Sequence, residues 1–274
     1  MRPQCDSPLA RLFASPNHGE RKDGLRPDMI ILHYTGMPTG DAALAWLCNP
    51  VSEVSSHYFV RENGRILQLV PEARRAWHAG ASSWQGLGDI NSRSIGIEIV
   101  NAGHEGHGID PVDPRRPPDV TAPDKGAGPL PAFPPAQIES VIRLVRDIAA
   151  RWHIRPERIL AHSDIAPRRK RDPGEAFPWP VLAENGVGHW VRPTPIRSGR
   201  FFQPGDGGAP VEALQQMLSL YGYDMPATGR YDEQTEAVVR AFQRHFRPER
   251  VDGIADFSTI TTLRDLIRAL PDGR

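Results

Sequence analysis

The chain has 274 residues, and its 33 basic and 33 acidic side chains give a formal net charge of zero, so charge provides no case for nucleic acid or an anionic membrane as a partner. The length favours two domains or one large one, and 28 prolines with 25 glycines are typical of a globular protein with long loops. The sequence contains no apolar run long enough to span a bilayer.

Residues 1–27 are predicted to be an irregular N-terminal segment, because they are polar and show no apolar periodicity. They lack the apolar core of a secretory signal. We therefore expect a cytoplasmic protein as written, or a periplasmic or outer-membrane-associated one if a leader was removed. Cys5 and Cys48 are the only cysteines, which argues against a disulfide framework and against a cysteine-based metal site.

Short apolar segments bounded by turn residues predict strands, and apolar residues at helical spacing predict helices. The dipeptide Asn63-Gly64 is a strong signal for a hairpin between two of the strands. In the strand at 94–100 the isoleucines share one face, so Glu98 must point to the other. The predicted strands are 29–32, 56–60, 65–70, 94–100 and 159–161. The predicted helices in this part of the chain are 41–47 and 135–152.

Residues 101–134 are rich in proline and glycine and are predicted to form a long surface loop inside a first domain that spans residues 28–192. Prolines mark a linker at 193–205. A second domain follows at 206–272, with helices predicted at 211–221, 233–246 and 257–269. It contains a repeat, G-x-x-D-x-x-T, in which Asp232 and Asp256 are good helix N-caps.

Five residues of the first domain together have the chemistry needed to hydrolyse an amide. His33 and His162 each follow or end an apolar strand, and Asp172 follows in the loop after His162. Two imidazoles and one carboxylate can hold zinc while leaving a position open for water, whose pKa the metal lowers to about 7. Glu98 is placed to take the proton of that water and pass it to the leaving amine. Lys170, two residues before Asp172, is placed to stabilise the oxyanion.

Each of these residues also has an ordinary structural interpretation. A histidine at a strand end is more often a hydrogen-bonded core residue, Glu98 fits a solvent-facing position equally well, and Lys170 lies in a basic loop. Eight other histidines weaken any argument from histidine alone. Two of them, His104 and His107, fall in the proline-rich loop, and no role is predicted for them.

Four motifs, in the same order along the chain, resemble those of the zinc-dependent N-acetylmuramoyl-L-alanine amidases, a family that includes muropeptide-recycling amidases and peptidoglycan recognition proteins. The resemblance covers about residues 28–182. The motifs are Ile31-Leu32-His33-Tyr34-Thr35, Ala76-Trp77-His78-Ala79-Gly80, Ser94-Ile95-Gly96-Ile97-Glu98 and the run from His162 to Gly174.

The resemblance implies an α/β fold in which a mixed central β-sheet is flanked by helices, with the metal in a cleft on one face. It implies Zn2+ held by His33, His162 and Asp172, with Glu98 as the catalytic carboxylate and Lys170 as the oxyanion partner. It also implies cleavage of the amide between the lactyl group of N-acetylmuramic acid and L-alanine. Motif residues that the resemblance places near the substrate are Tyr34, His57, Trp77 and His78.

The second domain resembles the three-helix peptidoglycan-binding domain, with Gln215 and Gln243 at matching positions of two helices. The resemblance therefore implies peptidoglycan or muropeptide fragments as the partner. We expect a monomer, although the sequence does not fix the oligomeric state. The proline-rich insertion is expected to border the substrate groove, and neither an anhydro-sugar requirement nor a preference for polymer over fragment is predicted.

Two other functions are compatible with the same motifs. A non-catalytic muropeptide-binding protein would be expected to lack a zinc ligand, and all three candidates are present. A peptidase or another zinc hydrolase on the same scaffold would leave L-alanine attached to the sugar. An amidase is the leading hypothesis, because five residues fill the metal, base and oxyanion roles at once.

Overall fold

The computed structural model describes residues 5–104, 130–199 and 201–271. Within these ranges the strands are β1 (Ala10–Leu12), β2 (His18–Gly19), β3 (Met29–Tyr34), β4 (Tyr58–Val60), β5 (Ile66–Gln68), β6 (Arg75–Ala76), β7 (Ser94–Ile99) and β8 (Ile159–Ala161). The helices are α1 (Gly40–Leu47), α2 (Ile90–Arg93), α3 (Pro135–Trp152), α4 (His162–Ile165), α5 (Trp179–Glu184), α6 (Ala209–Tyr221), α7 (Glu233–Phe246) and α8 (Phe257–Arg268). No helix in the described ranges is both long and apolar enough to cross a membrane.

Six of these strands form one mixed sheet in the order β1-β5-β4-β7-β3-β8, which confirms the predicted fold class. Only β4 and β5 pair antiparallel, and Asn63-Gly64 lies in the tight turn between them. Gly64 has a φ of 79° there, and a Cβ at this position would lie 2.6 Å from the Ala136 carbonyl oxygen. The neighbouring strands β7, β3 and β8 are parallel, so their carboxyl ends meet at one edge of the sheet.

The two faces of the sheet are covered differently. The isoleucines of β7 and Ile30 and Leu32 of β3 pack against the apolar side of α3, which begins and ends at the predicted residues. Residues on the other face, including Met29 and Ile31, join a second apolar cluster that continues into the C-terminal helices. Glu98 lies on this second face, as its alternation with the isoleucines predicted, because it pairs in register with His33.

The prediction of an irregular N-terminal segment is wrong in part. In the described residues from Cys5 onward, β1 pairs in parallel with β5 at the edge of the main sheet, and β2 pairs with β6. Both strands have only two or three residues and are partly exposed, so no apolar alternation marks them in the sequence. Residues 105–129 of the predicted surface loop, including His107, lie outside the described residues.

The C-terminal helices α6, α7 and α8 surround a small apolar core, and Asp232 and Asp256 cap α7 and α8 as predicted. Each carboxylate accepts a hydrogen bond from the backbone of the threonine three residues later. This core is continuous with the apolar residues on the face of the sheet opposite α3. The C-terminal domain therefore packs against the first domain, with α7 in contact with α4.

Candidate metal centre

Three potential metal ligands converge at the carboxyl edge of the parallel strands, where open α/β sheets commonly bind ligands. His33 is near the end of β3. His162 directly follows β8, which is the strand that pairs with β3. Asp172 returns to the same place because its carbonyl oxygen accepts a hydrogen bond from the Ser163 backbone. All three side chains are buried. Among the described residues, they form the one group of at least three side chains that could hold a metal ion.

The three ligand atoms form a nearly equilateral triangle. His33 Nδ1 lies 2.9 Å from His162 Nδ1 and 2.9 Å from Asp172 Oδ2, and the third side is 3.0 Å. Ligands of a tetrahedral zinc ion are about 3.4 Å apart, given metal–ligand distances of about 2.0–2.2 Å. Side-chain movements of a few tenths of an ångström therefore suffice to place all three atoms around one ion.

A chain of hydrogen bonds leaves the Nδ1 lone pair of His33 directed at this triangle. Ser94 Oγ donates to the Ile90 carbonyl oxygen at 2.6 Å, so it accepts from His78 Nε2, 3.1 Å away. His78 Nδ1 is then an acceptor for His33 Nε2, at 3.0 Å. His33 must consequently carry its proton on Nε2, which is the tautomer that a metal bound at Nδ1 requires.

His162 is oriented in the same way, because its Nε2 donates to the Ala79 carbonyl oxygen at 3.2 Å. Burial lowers the pKa of His162 to about 4, since the neighbouring Asp172 only partly offsets the desolvation of the imidazolium. Burial alone would raise the pKa of Asp172, but the imidazoles of His162 and His33 hold it well below its usual range. At neutral pH the site therefore presents a neutral His162 imidazole beside the Asp172 carboxylate.

Glu98 lies beside His33 on the adjacent strand and faces the same side of the sheet. Burial raises the pKa of its carboxyl to about 7, and the negative charge of Asp172 adds to this effect while His33 and Lys170 oppose it. Its Oε2 is buried and has no hydrogen-bond partner among the described residues. A carboxylate with this pKa and a vacant lone pair is suited to exchanging a proton near neutral pH.

Lys170 is half-buried, and its charge acts on both Glu98 and His162. Its backbone is fixed by a 3.0 Å hydrogen bond from Lys170 N to the Ala166 carbonyl oxygen. The ammonium is therefore close enough to the site for its charge to act on Glu98 and His162, and its oxyanion role stays a prediction.

The four residues predicted near the substrate occupy different environments. Tyr34 packs with the α3-side core, and its hydroxyl lies 3.1 Å from His104 Nδ1. His57 has no exposed surface, and its Nε2 contacts Arg21 and the Arg74 carbonyl oxygen. Both side chains are buried, and their role near the substrate stays a prediction. Trp77 and His78 keep partial exposure.

Sequence reasoning missed three residues that build the site. Asn91 Oδ1 accepts hydrogen bonds from the backbones of His78 and Ala79, at 3.0 and 2.8 Å. Arg169 donates to the carbonyl oxygens of Ala79 and Ala81 and so fixes the acceptor of His162. Gly96 makes room for His78, because a Cβ at residue 96 would lie 2.5 Å from the imidazole ring. No local pattern marks such contacts, which join residues distant in sequence.

The comparisons with known proteins agree with this geometry. A family model described as N-acetylmuramoyl-L-alanine amidase matches residues 23–175, which is more than half of the chain. The chain belongs to the N-acetylmuramoyl-L-alanine amidase family. A model of a peptidoglycan binding domain matches residues 207–263.

Individual members of the amidase family are also similar to this chain. The N-acetylmuramoyl-L-alanine amidase AmiD of Escherichia coli strain K12 is 41% identical over 85% of this chain and 80% of that protein. The 1,6-anhydro-N-acetylmuramyl-L-alanine amidase AmpD of Salmonella typhimurium strain SL1344 is 30% identical over 62% of this chain and 87% of that protein.

A solved structure extends the likeness to the whole fold. It is the complex of AmiD from E. coli with the substrate anhydro-N-acetylmuramic acid-L-Ala-D-gamma-Glu-L-Lys. It matches with a TM-score of 0.71 and 38% identity, and it covers 89% of each chain. The match therefore includes both the sheet and the C-terminal helices.

Proposed function

We propose that this amidase uses zinc to hydrolyse the amide between the lactyl group of N-acetylmuramic acid and L-alanine in peptidoglycan fragments. The observation that carries the proposal is the triangle of ligand atoms on His33, His162 and Asp172, with the unpartnered carboxylate of Glu98 beside it. Membership of the amidase family supports the choice of an amide bond.

The donor set fits zinc better than the other common divalent metals. Two imidazole nitrogens and one carboxylate oxygen suit Zn2+, whereas Mg2+ and Ca2+ prefer sites built entirely from oxygen. One carboxylate offsets only half of a divalent charge, so a net positive charge would remain at the site. A zinc ion held there would supply Lewis acidity, polarising the substrate carbonyl and making water easier to deprotonate.

The protein's own groups then complete the reaction. Glu98 takes a proton from the attacking water, the water oxygen forms a bond to the lactyl carbonyl carbon, and the C–N bond breaks. Glu98 returns the proton to the leaving nitrogen, so the products are the lactyl carboxylic acid and the free amine of L-alanine. The Lys170 ammonium stabilises the negative charge that develops on the carbonyl oxygen in between.

The substrate class follows from the family members rather than from the site alone. AmiD was solved with an anhydro-muropeptide, and AmpD is named as a 1,6-anhydro-muramyl amidase. We propose anhydro-muropeptides as substrates of this chain, with Trp77 and His78 as candidate contacts because they retain exposed surface. The C-terminal domain is proposed to bind peptidoglycan. The monomeric state and the cytoplasmic location stay predictions, which sedimentation and cell fractionation test.

Mass spectrometry of the products tests the proposal. Purified protein supplied with one equivalent of zinc is incubated with anhydro-N-acetylmuramic acid linked to L-Ala-D-γ-Glu-L-Lys. We expect the free sugar acid and a tripeptide that starts with L-alanine, and we expect cleavage to stop after the metal is chelated. A sugar product that retains L-alanine would indicate a peptidase. Binding without cleavage would indicate a non-catalytic binding protein. Unchanged cleavage by metal-free protein would contradict the zinc role.

A further inference from the structure

Asp164 connects the C-terminal domain to the metal-bearing turn. It is buried in α4, two residues after the ligand His162. Its Oδ2 accepts a hydrogen bond from the Ala161 backbone at 2.8 Å and lies 2.7 Å from His245 Nδ1. Its Oδ1 accepts from the Tyr223 hydroxyl at 2.8 Å. Two of its three partners thus belong to the C-terminal domain.

The bond to Ala161 is the contact that reaches the metal site. Ala161 is the last residue of β8 and directly precedes His162, so the Asp164 carboxylate closes the turn between the strand and the ligand. A buried carboxylate needs its hydrogen bonds to stay in place, because an unpaired charge in the interior is costly. His245 and Tyr223 therefore determine where this carboxylate sits, and through it the backbone that presents His162.

The two partner residues are themselves rigidly held. His245 has 2% exposure and stacks on Trp179 with a centroid distance of 3.7 Å. Tyr223 also has 2% exposure and packs edge-on against Trp84, at 5.0 Å between the ring centroids. Neither side chain can move away from Asp164 without opening the apolar contact between the two domains.

Helix α7 also contacts the far end of the metal-bearing segment. Arg244, next to His245, lies 4.0 Å from Glu175, three residues after the ligand Asp172. Glu175 in turn lies 3.1 Å from His104, which contacts Tyr34 at the end of β3. The loop that carries two of the three ligands is therefore held by one C-terminal helix at both of its ends.

We infer that the C-terminal domain is part of the catalytic apparatus, with Tyr223 and His245 as positioning residues that hold His162 in place through Asp164. This inference rests on the proposed metal site. It separates the C-terminal domain's contribution to metal binding from any contribution to peptidoglycan binding. If it is correct, changes to Tyr223 or His245, which are far from the ligands in sequence, alter the affinity of the site for zinc.

The zinc dissociation constant of the full chain, measured by competition with a chromophoric chelator, tests the inference. Tyr223→Phe and His245→Phe each remove one hydrogen bond to Asp164 and keep the ring. Tyr231→Phe is the matched control, because it removes a buried hydroxyl that donates to the Gly253 carbonyl oxygen in the same domain, away from Asp164. His245→Asn keeps a donor near the position of Nδ1 and serves as the conservative rescue.

Loss of the hydrogen bonds that orient a metal ligand typically weakens metal affinity by 10- to 100-fold. We expect Tyr223→Phe and His245→Phe to weaken zinc binding by roughly 10-fold or more. They should also change the visible spectrum of the cobalt-substituted protein and lower kcat more than they raise KM. Tyr231→Phe should lower the Tm without changing the zinc affinity, and His245→Asn should recover most of the loss.

Three outcomes would overturn one or the other of two statements. Equal zinc affinity in Tyr223→Phe, His245→Phe and the wild type, or an equal loss in Tyr231→Phe, would overturn the positioning role while leaving the amidase proposal intact. A wild-type chain that binds no zinc would overturn the proposed function itself. If His245→Phe does not fold, Tyr223→Phe alone decides the matter, because it deletes a single oxygen atom.

Discussion

Two groups of buried polar side chains, one in each domain, differ in how fully they are hydrogen-bonded. In the C-terminal domain, Gln215 and Gln243 have no exposed surface, and their amides are fully used. Gln215 accepts from the Gly229 backbone and donates to the Arg230 carbonyl oxygen and the Thr235 hydroxyl. Gln243 makes the equivalent contacts one repeat later, with Gly253, Ile254 and Thr259.

At the carboxyl edge of the parallel strands, by contrast, the hydrogen bonding of the buried polar groups is incomplete. The potential metal-ligand atoms of His33, His162 and Asp172 lie close together. Glu98 Oε2 has no hydrogen-bond partner among the described residues. Such an arrangement costs folding free energy unless a cation and a substrate complete it. The comparison teaches that the satisfied network of the two glutamines serves stability, whereas the unpartnered carboxylate of Glu98 lies where three potential metal ligands converge.

The largest expected effect concerns the unsatisfied carboxylate. Glu98→Gln keeps the shape of the side chain but removes the proton acceptor, so we expect kcat to fall by about 10²- to 10⁴-fold. Zinc content should stay close to wild type. Steady-state kinetics with an anhydro-muropeptide measures the effect, and Glu53→Gln, at an exposed position, is the control. Undiminished turnover in Glu98→Gln would show that another group is the base.

The opposite behaviour is expected for the satisfied network. Gln243→Ala leaves the Gly253 N–H and the Ile254 carbonyl oxygen without their buried partner, so we expect a loss of about 3 kcal/mol in the free energy of unfolding. Zinc affinity should not change. Urea unfolding measures the free energy of unfolding, and chelator competition measures the zinc affinity. Gln216→Ala, on the exposed side of α6, is the control. A large change in zinc affinity would contradict the separation of roles.

The raised pKa of Glu98 predicts a pH dependence of stability in the metal-free protein. Its pKa is about 7 in the folded chain and 4.5 as a model value, so the unfolded state ionises first as the pH rises. Stability from this group is present below pH 4.5 and is lost as the pH rises to about 7. The loss should be on the order of 2 kcal/mol.

Urea unfolding of metal-free wild type and Glu98→Gln at pH 5 and pH 8 isolates this group, because the histidines are common to both proteins. Asp172, whose pKa is lowered, loses its stabilising effect only at acid pH and does not contribute in this window. The wild type should lose more stability than the variant between the two values. Parallel behaviour of the two proteins would indicate that Glu98 has an ordinary pKa.

The smallest expected effect concerns the support of His33. Gly96→Ala places a Cβ 2.5 Å from the His78 ring, which must shift away from His33. We expect zinc affinity to fall roughly 10-fold, as is typical when the hydrogen bond behind a ligand is lost. Gly88→Ala is a matched control, since a Cβ there has no neighbour within 4 Å. Equal affinities in the two variants would show that His78 does not orient His33.

Much of this organisation is readable from the sequence, because it depends on local patterns. The apolar stripe of α3 predicted its extent, and the alternation in β7 predicted that Glu98 faces away from the isoleucines. Asp232 and Asp256 were identified as caps from the repeat alone. The ligand set of His33, His162 and Asp172 was predicted from the chemistry of the side chains and from the motif resemblance.

The rest depends on contacts that leave no local mark. The three-residue edge strand β1 is stabilised by pairing with β5 and carries no periodic pattern of its own. Tyr34 and His57 were expected near the substrate because of their motif positions, yet packing decides that both are buried. The link from His245 to Asp164 joins residues 81 positions apart, and only the docking of the two domains creates it.

Anomalous diffraction at the zinc edge from crystals grown with one equivalent of zinc tests the central claim most directly. We expect one strong peak within about 2.0–2.2 Å of His33 Nδ1, His162 Nδ1 and Asp172 Oδ2, and no peak there in crystals of Asp172→Ala. A wild-type crystal with no peak between these three atoms, or with its zinc bound by other residues, would contradict the assignment of the metal centre.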